Sequence, residues 1–387
     1  MRGAIILARP VRKALLVIAA IEVALLLTVH APGNPDRPGI DGGIRTAAAL
    51  LRGDGPPIDL VQDYVGARSL ARGGDSYPVL TSAYAQVGLR WPAPHRSTHP
   101  PTAFVLVLPV SRFSWRAASA VWAALMLGAI AATWWALGTR WELAAALAPL
   151  TLLWPPAAWS LGQLTPLWLL GLALAWRWRA LPAQAGMATA LAAMTKLLPA
   201  LSLVPFLVLR RMRVLVGFAL VTGAALLILI GSRPGILSRY VAVARATGDN
   251  QAARGENSSL LWAFGHRLGT AGVVVALLLV LVVLGRSILR LRARDALDEW
   301  SWWAWSWAGV ALLPIAWIYS QLPLLPVFLF CLRRGGIVSH GLAFFALSVP
   351  LLIDPFGLPG AIQLAIATAC VGLSLLAIPY PAVEAAD

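Results

Sequence analysis

The stretch VLVGFALVTGAALLILIG, residues 214–231, is 18 residues long, lacks any charged side chain and follows Arg210, Arg211 and Arg213. An α-helix needs about 20 consecutive apolar residues to cross the hydrocarbon core of a bilayer. Arginines that flank such a run are typical of the cytoplasmic side of a span. The stretch therefore predicts a transmembrane helix whose N-terminal end faces the cytoplasm.

Similar apolar runs occupy most of the chain, and several are shorter than a full crossing. They lie at residues 14–29, 102–111, 117–137, 143–158, 164–176, 184–195, 197–209, 269–285, 302–319, 322–332, 341–353 and 358–379. Of the 387 residues, 59% are hydrophobic and 12% are charged, and the mean hydropathy is +0.76. Soluble domains average about 45–50% apolar and about 25% charged residues. We therefore exclude a soluble enzyme, a disordered chain and a collagen-like rod, and predict an all-α polytopic integral membrane protein of roughly 10–13 helices.

Charge predicts how this single membrane domain, residues 1–387, is oriented. We assign the net charge of +15 to cytoplasmic loops and expect no nucleic-acid partner. We interpret the run at 14–29 as an uncleaved first span with a cytoplasmic N-terminus, because Pro32 follows the weak cleavage signal at 29–31. The remaining divisions are an extracytoplasmic loop at 30–100, core spans at 101–231, a second extracytoplasmic loop at 232–258 and C-terminal spans at 259–387.

Two local features refine this topology. Two short apolar pieces between Arg179 and Arg210 meet at Lys196-Leu197-Leu198-Pro199. If the arginines around Arg179 and those around Arg210 are both cytoplasmic, the interruption at Lys196–Pro199 faces outside, on the same side as the first loop. Three apolar runs lie between Arg112 and Arg179, and both arginines are expected on the cytoplasmic side. Three full spans would end on the opposite side of the membrane, so we expect residues 143–158 to be re-entrant.

Acidic side chains concentrate in the first loop, which holds six of the 16 acids. Within it, residues 59–72 have apolar side chains spaced for one face of a helix. Asp59 and Asp63 are four residues apart on this predicted helix, so their carboxylates share a face. Such a pair is either a solvated acidic face or a site for proton transfer.

Isolated polar residues interrupt the apolar part of the chain. His99-Pro100-Pro101 opens one run, where proline also simply starts a helix. Gln163 is either a helix–helix contact or part of a site. Lys196 lies at a broken apolar segment, where an ionisable group suggests a functional site, although a lysine that extends to the interface is the alternative. Asn257-Ser258-Ser259 opens the run that follows the second loop.

These motifs together resemble glycosyltransferase family 87, also called DUF2029, the polyprenyl-phosphate-mannose-dependent mannosyltransferases with the GT-C fold. The resemblance covers roughly residues 55–270 and depends on the order of modest motifs. They are the acidic first-loop motif with Gly-Gly-Asp-Ser-Tyr at 73–77, His99-Pro100-Pro101-Thr102 with Pro109, Gly162-Gln163, Gly186 with Lys196-Leu197-Leu198-Pro199 before Arg210-Arg211, and Asn257 with Ser259-Leu260.

The resemblance implies a GT-C-like fold with a large extracytoplasmic first loop. It also implies a reaction at the outer face of a cell membrane, which we expect to be bacterial. The donor would be a sugar, expected to be mannose, on a polyprenyl phosphate, and the acceptor a lipid-linked or cell-envelope glycan. Phosphate is already a weak base and needs no general acid to depart. One carboxylate suffices to deprotonate the acceptor hydroxyl, and a single displacement inverts the anomeric centre.

The resemblance maps the catalytic carboxylate of the family onto Asp59. Where the family pattern has an aromatic residue four positions later, this chain has Asp63, followed by Tyr64. Asp63 is therefore a rival base, or a second carboxylate that raises the pKa of its neighbour.

The same resemblance implies a set of substrate-binding residues. Lys196 is the candidate cation for the donor phosphate, with Arg68, His99, Arg254 and Arg267 as lesser candidates. Gln163 and Asn257 are candidates for hydrogen bonds to sugar hydroxyls, and Tyr64 and Tyr77 belong to the first-loop motif. We expect no cofactor and no bound metal, since the acids could bind a divalent ion only if Asp59 and Asp63 share it.

Other classes of function also fit parts of the pattern. A polytopic transporter or lipid flippase would use broken apolar segments and intramembrane polar groups as well. Against it, the sequence has no internal repeat and the acids cluster in a loop. A GT-C enzyme specific for arabinose or glucose would differ only in pocket residues, and a membrane scaffold would tolerate the loss of Asp59 or Asp63.

Overall fold

The structure is a computed structural model that describes residue 17 and residues 58–90, 92–138, 162–252, 257–316, 318–348 and 360–379. These residues form 14 α-helices and three 3₁₀ helices, and the described part of the chain has no β-strand. The predicted all-α class is confirmed. The helix count in the described residues is slightly above the expected range, because the stretches predicted as loops contain the helices Ile58–Ala71, Leu80–Gln86 and Ile236–Ala252.

The α-helices are numbered here in chain order. They are α1 (Ile58–Ala71), α2 (Leu80–Gln86), α3 (Pro101–Val107), α4 (Trp115–Ala136), α5 (Thr165–Arg177), α6 (Pro182–Thr195), α7 (Val204–Val208), α8 (Arg213–Ser232), α9 (Ile236–Ala252), α10 (Leu260–Arg294), α11 (Glu299–Ala311), α12 (Leu325–Arg334), α13 (Ile337–Ser348) and α14 (Gly360–Leu376). The 3₁₀ helices are Val110–Arg112, Leu198–Leu203 and Ile318–Leu324.

Three of the described helices, α4, α8 and α10, are long and apolar enough to cross a membrane. On α8 and α10, many large apolar side chains point away from the rest of the protein, including Leu227, which is 76% exposed. Such a surface is suited to lipid. At Gly269, α10 is kinked, with a backbone φ of 60° that favours glycine. These features identify an integral membrane protein.

Several predicted segments differ from the observed elements. The run at 197–209 is divided between a 3₁₀ helix and α7, because Pro199 and Pro205 interrupt regular hydrogen bonding. The polar stretch at 232–258, predicted as a loop, contains the 17-residue α9. The first span at 14–29, except for residue 17, and the re-entrant segment at 143–158 lie outside the described residues.

Small residues bring three helices of the core very close together. A Cβ atom on Gly217 of α8 would collide with the carbonyl oxygen of Ala183 in α6. In the same way, a Cβ atom on Gly186 of α6 would collide with the carbonyl oxygen of Val214 in α8. Likewise, a Cβ on Gly171 of α5 would lie 2.7 Å from the carbonyl oxygen of Ala188. Close approach through small residues is a common way to pack helices in a membrane.

Antiparallel helices give this bundle two chemically different ends. One end contains Gln163, just before α5, Lys196, just after α6, and Ser320, before α12. We name this the polar end. The opposite ends of α5 and α12 carry arginines, and we name this the arginine end. It comprises Arg177, Arg179, Arg333 and Arg334.

Candidate active site

Helix α1 positions the first-loop acids against the polar end. Its apolar side chains Leu60, Val61 and Tyr64 are fully buried, so this face lies on the bundle. Asp59 lies in the first turn, where the helix dipole favours a negative charge. The half-buried carboxylate of Asp59 accepts a hydrogen bond from the side-chain amide of Gln163.

Asp63, one turn later, is buried and has a different partner. The Nδ1 atom of His99 lies 2.9 and 3.0 Å from its two carboxylate oxygens. The hydroxyl of Tyr77 in turn donates to the backbone carbonyl of His99 at 3.1 Å. His99 is therefore held both through its ring and through its backbone, and the single accessible carboxylate of this pair is Asp59.

Lys196 brings a positive charge to the same place. Helix α6 ends at Thr195, and Lys196 has an extended backbone conformation. Its Nζ atom donates to the hydroxyl of Ser320 at 2.9 Å. Sequence reasoning missed Ser320, and the available signal was the polar pair Ser320-Gln321 between the apolar runs at 302–319 and 322–332.

The charges of this cluster act on one another. Burial raises the pKa of Asp59, and the charge of Asp63 adds to this. The Gln163 hydrogen bond and the positive charges of His99 and Lys196 oppose the rise but do not cancel it. Burial alone would lower the pKa of His99, yet the charge and hydrogen bond of Asp63 raise it overall. The geometry therefore favours an imidazolium paired with Asp63, beside an Asp59 that holds a proton more readily than an ordinary aspartate.

Other first-loop candidates hold the loop in place. The Tyr64 hydroxyl donates to the carbonyl of Phe113 at 2.8 Å and accepts from the exposed Arg68 at 2.9 Å. Asp75 pairs with Arg96 at 3.3 Å and with Arg239 of α9 at 2.8 Å. These contacts fasten the loop to itself and to α9.

The hydrogen bonds described for Asn257 fix the chain locally and do not reach the cluster. Asn257 is fully buried, and its amide donates to the carbonyl of Pro314 at 3.2 Å and accepts from the backbone N–H of Ser259 and Ala316. It therefore holds residues 314–316 against the start of α10. Arg267 is exposed on α10. Arg254 lies outside the described residues.

The chemistry of the cluster is that of a proton acceptor beside cations. In the ranges that the structure describes, no group of three or more His, Cys, Asp or Glu side chains is arranged to hold a metal ion. The cluster comprises Asp59, Asp63, His99, Gln163, Lys196 and Ser320. We name it the carboxylate–lysine cluster.

Comparison with known proteins identifies the class. The family model described as glycosyltransferase family 87 matches residues 98–320, which is more than half of the chain. The protein is thus a membrane glycosyltransferase. More narrowly, the chain belongs to glycosyltransferase family 87, as the motif order predicts. The match includes His99, Gln163, Lys196 and Ser320, and it begins after Asp59 and Asp63. No curated protein and no solved structure matches the chain significantly.

Proposed function

We propose that this protein transfers a sugar, mannose in the first instance, from a polyprenyl phosphate to a lipid-linked or cell-envelope glycan at the extracytoplasmic face. The observation that carries the proposal is the carboxylate–lysine cluster at one end of the bundle in a member of glycosyltransferase family 87. An acceptor hydroxyl needs a base, and a departing phosphate needs a cation. The cluster offers both within one site.

Asp59 is the base in this proposal. Asp63 is occupied by His99 through both of its oxygens and is only 1% exposed. Asp59 is half-buried, and its described hydrogen bond comes from the neutral amide of Gln163. A carboxylate whose pKa is raised by burial accepts a proton more strongly, which favours general-base catalysis near neutral pH.

The reaction is a single displacement. The acceptor hydroxyl oxygen forms a bond to the anomeric carbon while its proton passes to Asp59. The bond between the anomeric carbon and the phosphate oxygen breaks, and its electron pair stays on the phosphate. The products are the extended glycan with an inverted anomeric centre and a free polyprenyl phosphate, and the proton on Asp59 returns to solvent.

Lys196 stabilises the negative charge on the departing phosphate. Its ammonium group is fixed by Ser320 and lies in the field of Asp59. Preorganised cations aimed at developing charge supply a large part of the rate enhancement in many enzymes. The imidazolium of His99 adds a second positive charge, and Asp63 acts as the residue that keeps His99 protonated and oriented.

The position of the arginines supports an extracytoplasmic site. Arginine-rich ends of spans face the cytoplasm, and α5 and α12 carry their arginines at the ends opposite Gln163 and Ser320. A polyprenyl carrier places its sugar at the membrane surface, where a first loop anchored on the polar end can cover it. The acceptor then enters from the same side.

The test is sugar transfer by purified protein in nanodiscs. Polyprenyl-phosphate-mannose is supplied with a panel of membrane glycolipid acceptors, and both the glycolipid product and free polyprenyl phosphate are measured. We expect Asp59→Asn to lower the turnover by about 10²–10⁴-fold, the usual contribution of a general base. Asp63→Asn should be milder, because it acts through His99.

Asp295→Asn is the matched control. Asp295 lies at the end of α10, at the arginine end, and the substitution makes the same chemical change there. Unchanged turnover in this control, together with the same melting temperature in all variants, separates catalysis from folding. Transfer that survives Asp59→Asn and is lost in Asp63→Asn would reassign the base. A wild type that neither binds nor uses the donor would contradict the proposal and favour a transporter.

A further inference from the structure

The arginine end contains a cavity of about 590 Å³ that the proposed transferase reaction does not use. Arginines, tryptophans and a single described carboxylate dominate its lining. The charged and tryptophan members are Trp135, Trp176, Arg177, Trp178, Arg179, Glu299, Trp303, Arg333 and Arg334. The cavity lies at the far end of α5 from Gln163, and 13 helical residues correspond to roughly 20 Å. It is therefore a site separate from the carboxylate–lysine cluster.

Tryptophan rings and backbone carbonyls hold two of these arginines in place. The guanidinium of Arg177 lies 4.0 Å from the ring centroid of Trp135 and donates to the carbonyl of Trp135 at 3.3 Å. The guanidinium of Arg179 lies 4.2 Å from the ring centroid of Trp176 and donates to its carbonyl at 3.0 Å. Cation–π contacts and carbonyls orient an arginine without neutralising it.

The cavity is therefore positively charged. Glu299, the one carboxylate among its described lining residues, pairs with Arg333. No described carboxylate pairs with Arg177, Arg179 or Arg334, and the latter two are exposed. Several arginines around one cavity are the usual protein surroundings of a phosphate group, which a planar guanidinium binds through two hydrogen bonds.

The position of the cavity relates it to the membrane surface. Trp135 lies in the last turn of α4, a 22-residue helix long enough to span a membrane. Tryptophan and arginine at the end of a span mark the interface, where the ring contacts the apolar layer and the charge stays at the headgroup level. The cavity volume lies within the range of small-molecule sites.

We propose that this cavity binds the phosphate headgroup of an anionic phospholipid from the leaflet at the arginine end. The phosphate contacts Arg179 and Arg334, Arg177 supplies further charge, and the tryptophans contact the glycerol and the first carbons of the acyl chains. The shared chemistry is a phosphate, and the membrane level of the tryptophans identifies a lipid as its source rather than a soluble phosphate.

The experiment is a lipid titration of the full chain in detergent, followed by native mass spectrometry. The probes are phosphatidylglycerol, zwitterionic phosphatidylcholine and inorganic phosphate. We expect one saturable phosphatidylglycerol per chain and no comparable phosphatidylcholine. Arg179→Gln combined with Arg334→Gln should weaken phosphatidylglycerol binding by about 30-fold, the factor expected when two basic residues near an anionic membrane are lost.

Arg292→Gln combined with Arg294→Gln is the matched control. It removes the same charge from exposed positions at the end of α10, outside the cavity lining. Wild-type lipid binding in this control, with equal melting temperatures for both double variants, supports the site. Equal weakening in both double variants would overturn it, since the attraction would then be general. Displacement of the lipid by inorganic phosphate at equal affinity would identify a soluble phosphate ligand and overturn the lipid assignment.

Discussion

Asp59 and Asp63 occupy successive turns of one helix, yet they have different surroundings. One carboxylate is half-buried and contacts an amide, and the other is buried and contacts an imidazole. Burial raises the pKa of Asp59, and the nearby negative charge of Asp63 adds to this rise. His99 pairs with Asp63, and its positive charge opposes the rise at Asp59 without cancelling it.

This raised pKa makes activity depend on pH in a defined direction. Asp59 must be ionised to accept a proton, so turnover falls as the pH falls through its pKa, and this occurs above the value of about 3.9 for an ordinary aspartate. Gln163→Leu removes a hydrogen bond that favours the ionised form, so the pKa rises further. We expect the acid limb of the turnover profile to move to higher pH in this variant.

Turnover against pH under donor saturation measures this shift, with Gln86→Leu as the control. Gln86 is exposed at the end of α2, and the substitution there should leave the profile unchanged. If Gln163→Leu changed the donor KM alone and left the acid limb in place, Gln163 would be a sugar-binding residue without influence on Asp59.

At the level of elements, the contact between α6 and α8 depends on the absence of two side chains. Gly186 and Gly217 allow backbone to meet backbone, so α6 is held in a fixed position. Lys196 follows α6 directly, and its position relative to Asp59 therefore depends on this contact.

A pair of identical substitutions on α8 tests this contact. The Cβ atom of Gly217→Ala would collide with the Ala183 carbonyl, whereas that of Gly223→Ala meets no atom within 4 Å. Overpacking costs about 1–3 kcal/mol, and alanine is about 1 kcal/mol better than glycine within a helix. We expect a lower melting temperature in detergent for Gly217→Ala, and an equal or higher one for Gly223→Ala. Equal melting temperatures would mean that α6 and α8 separate without cost.

The sequence predicts individual elements well and their partners poorly. Periodicity predicted a helix over residues 59–72, and α1 spans Ile58–Ala71 with the expected face buried. The contact of Asp59 with Gln163 joins positions 104 residues apart, and that of Lys196 with Ser320 joins positions 124 apart. Local spacing contains no information on such pairs. Asn257 is instructive because its place in a motif suggested sugar binding, whereas its side-chain amide hydrogen-bonds the backbone of Ser259, Pro314 and Ala316.

At the level of the whole molecule, α5 and α12 carry their arginines at the ends opposite Gln163 and Ser320, so they link the carboxylate–lysine cluster to the arginine end. Reagents that do not cross membranes can identify which face is outside. Cys331 and Cys370 are buried, so the native background of thiol labelling should be low. Exposed positions for an added cysteine are Ser82 in α2 at the polar end and Ala293 in α10 at the arginine end.

We expect an impermeant maleimide added to intact cells to label Ser82→Cys and to spare Ala293→Cys. Opening the cells should expose Ala293→Cys to the same reagent, which controls for its reactivity. Labelling of Ala293→Cys alone in intact cells would invert the orientation and move the carboxylate–lysine cluster to the cytoplasmic side.

The half-buried position of Lys196 also makes this site unusually easy to observe chemically. The sequence contains only two lysines, Lys13 and Lys196, so a lysine-directed acylating reagent has few side chains to modify. A donor whose phosphate occupies the ammonium group should slow acylation of Lys196 and leave that of Lys13 unchanged. Peptide mass spectrometry would then report donor occupancy directly, without knowledge of the acceptor. Equal acylation of Lys196 with and without donor would mean that the phosphate binds elsewhere.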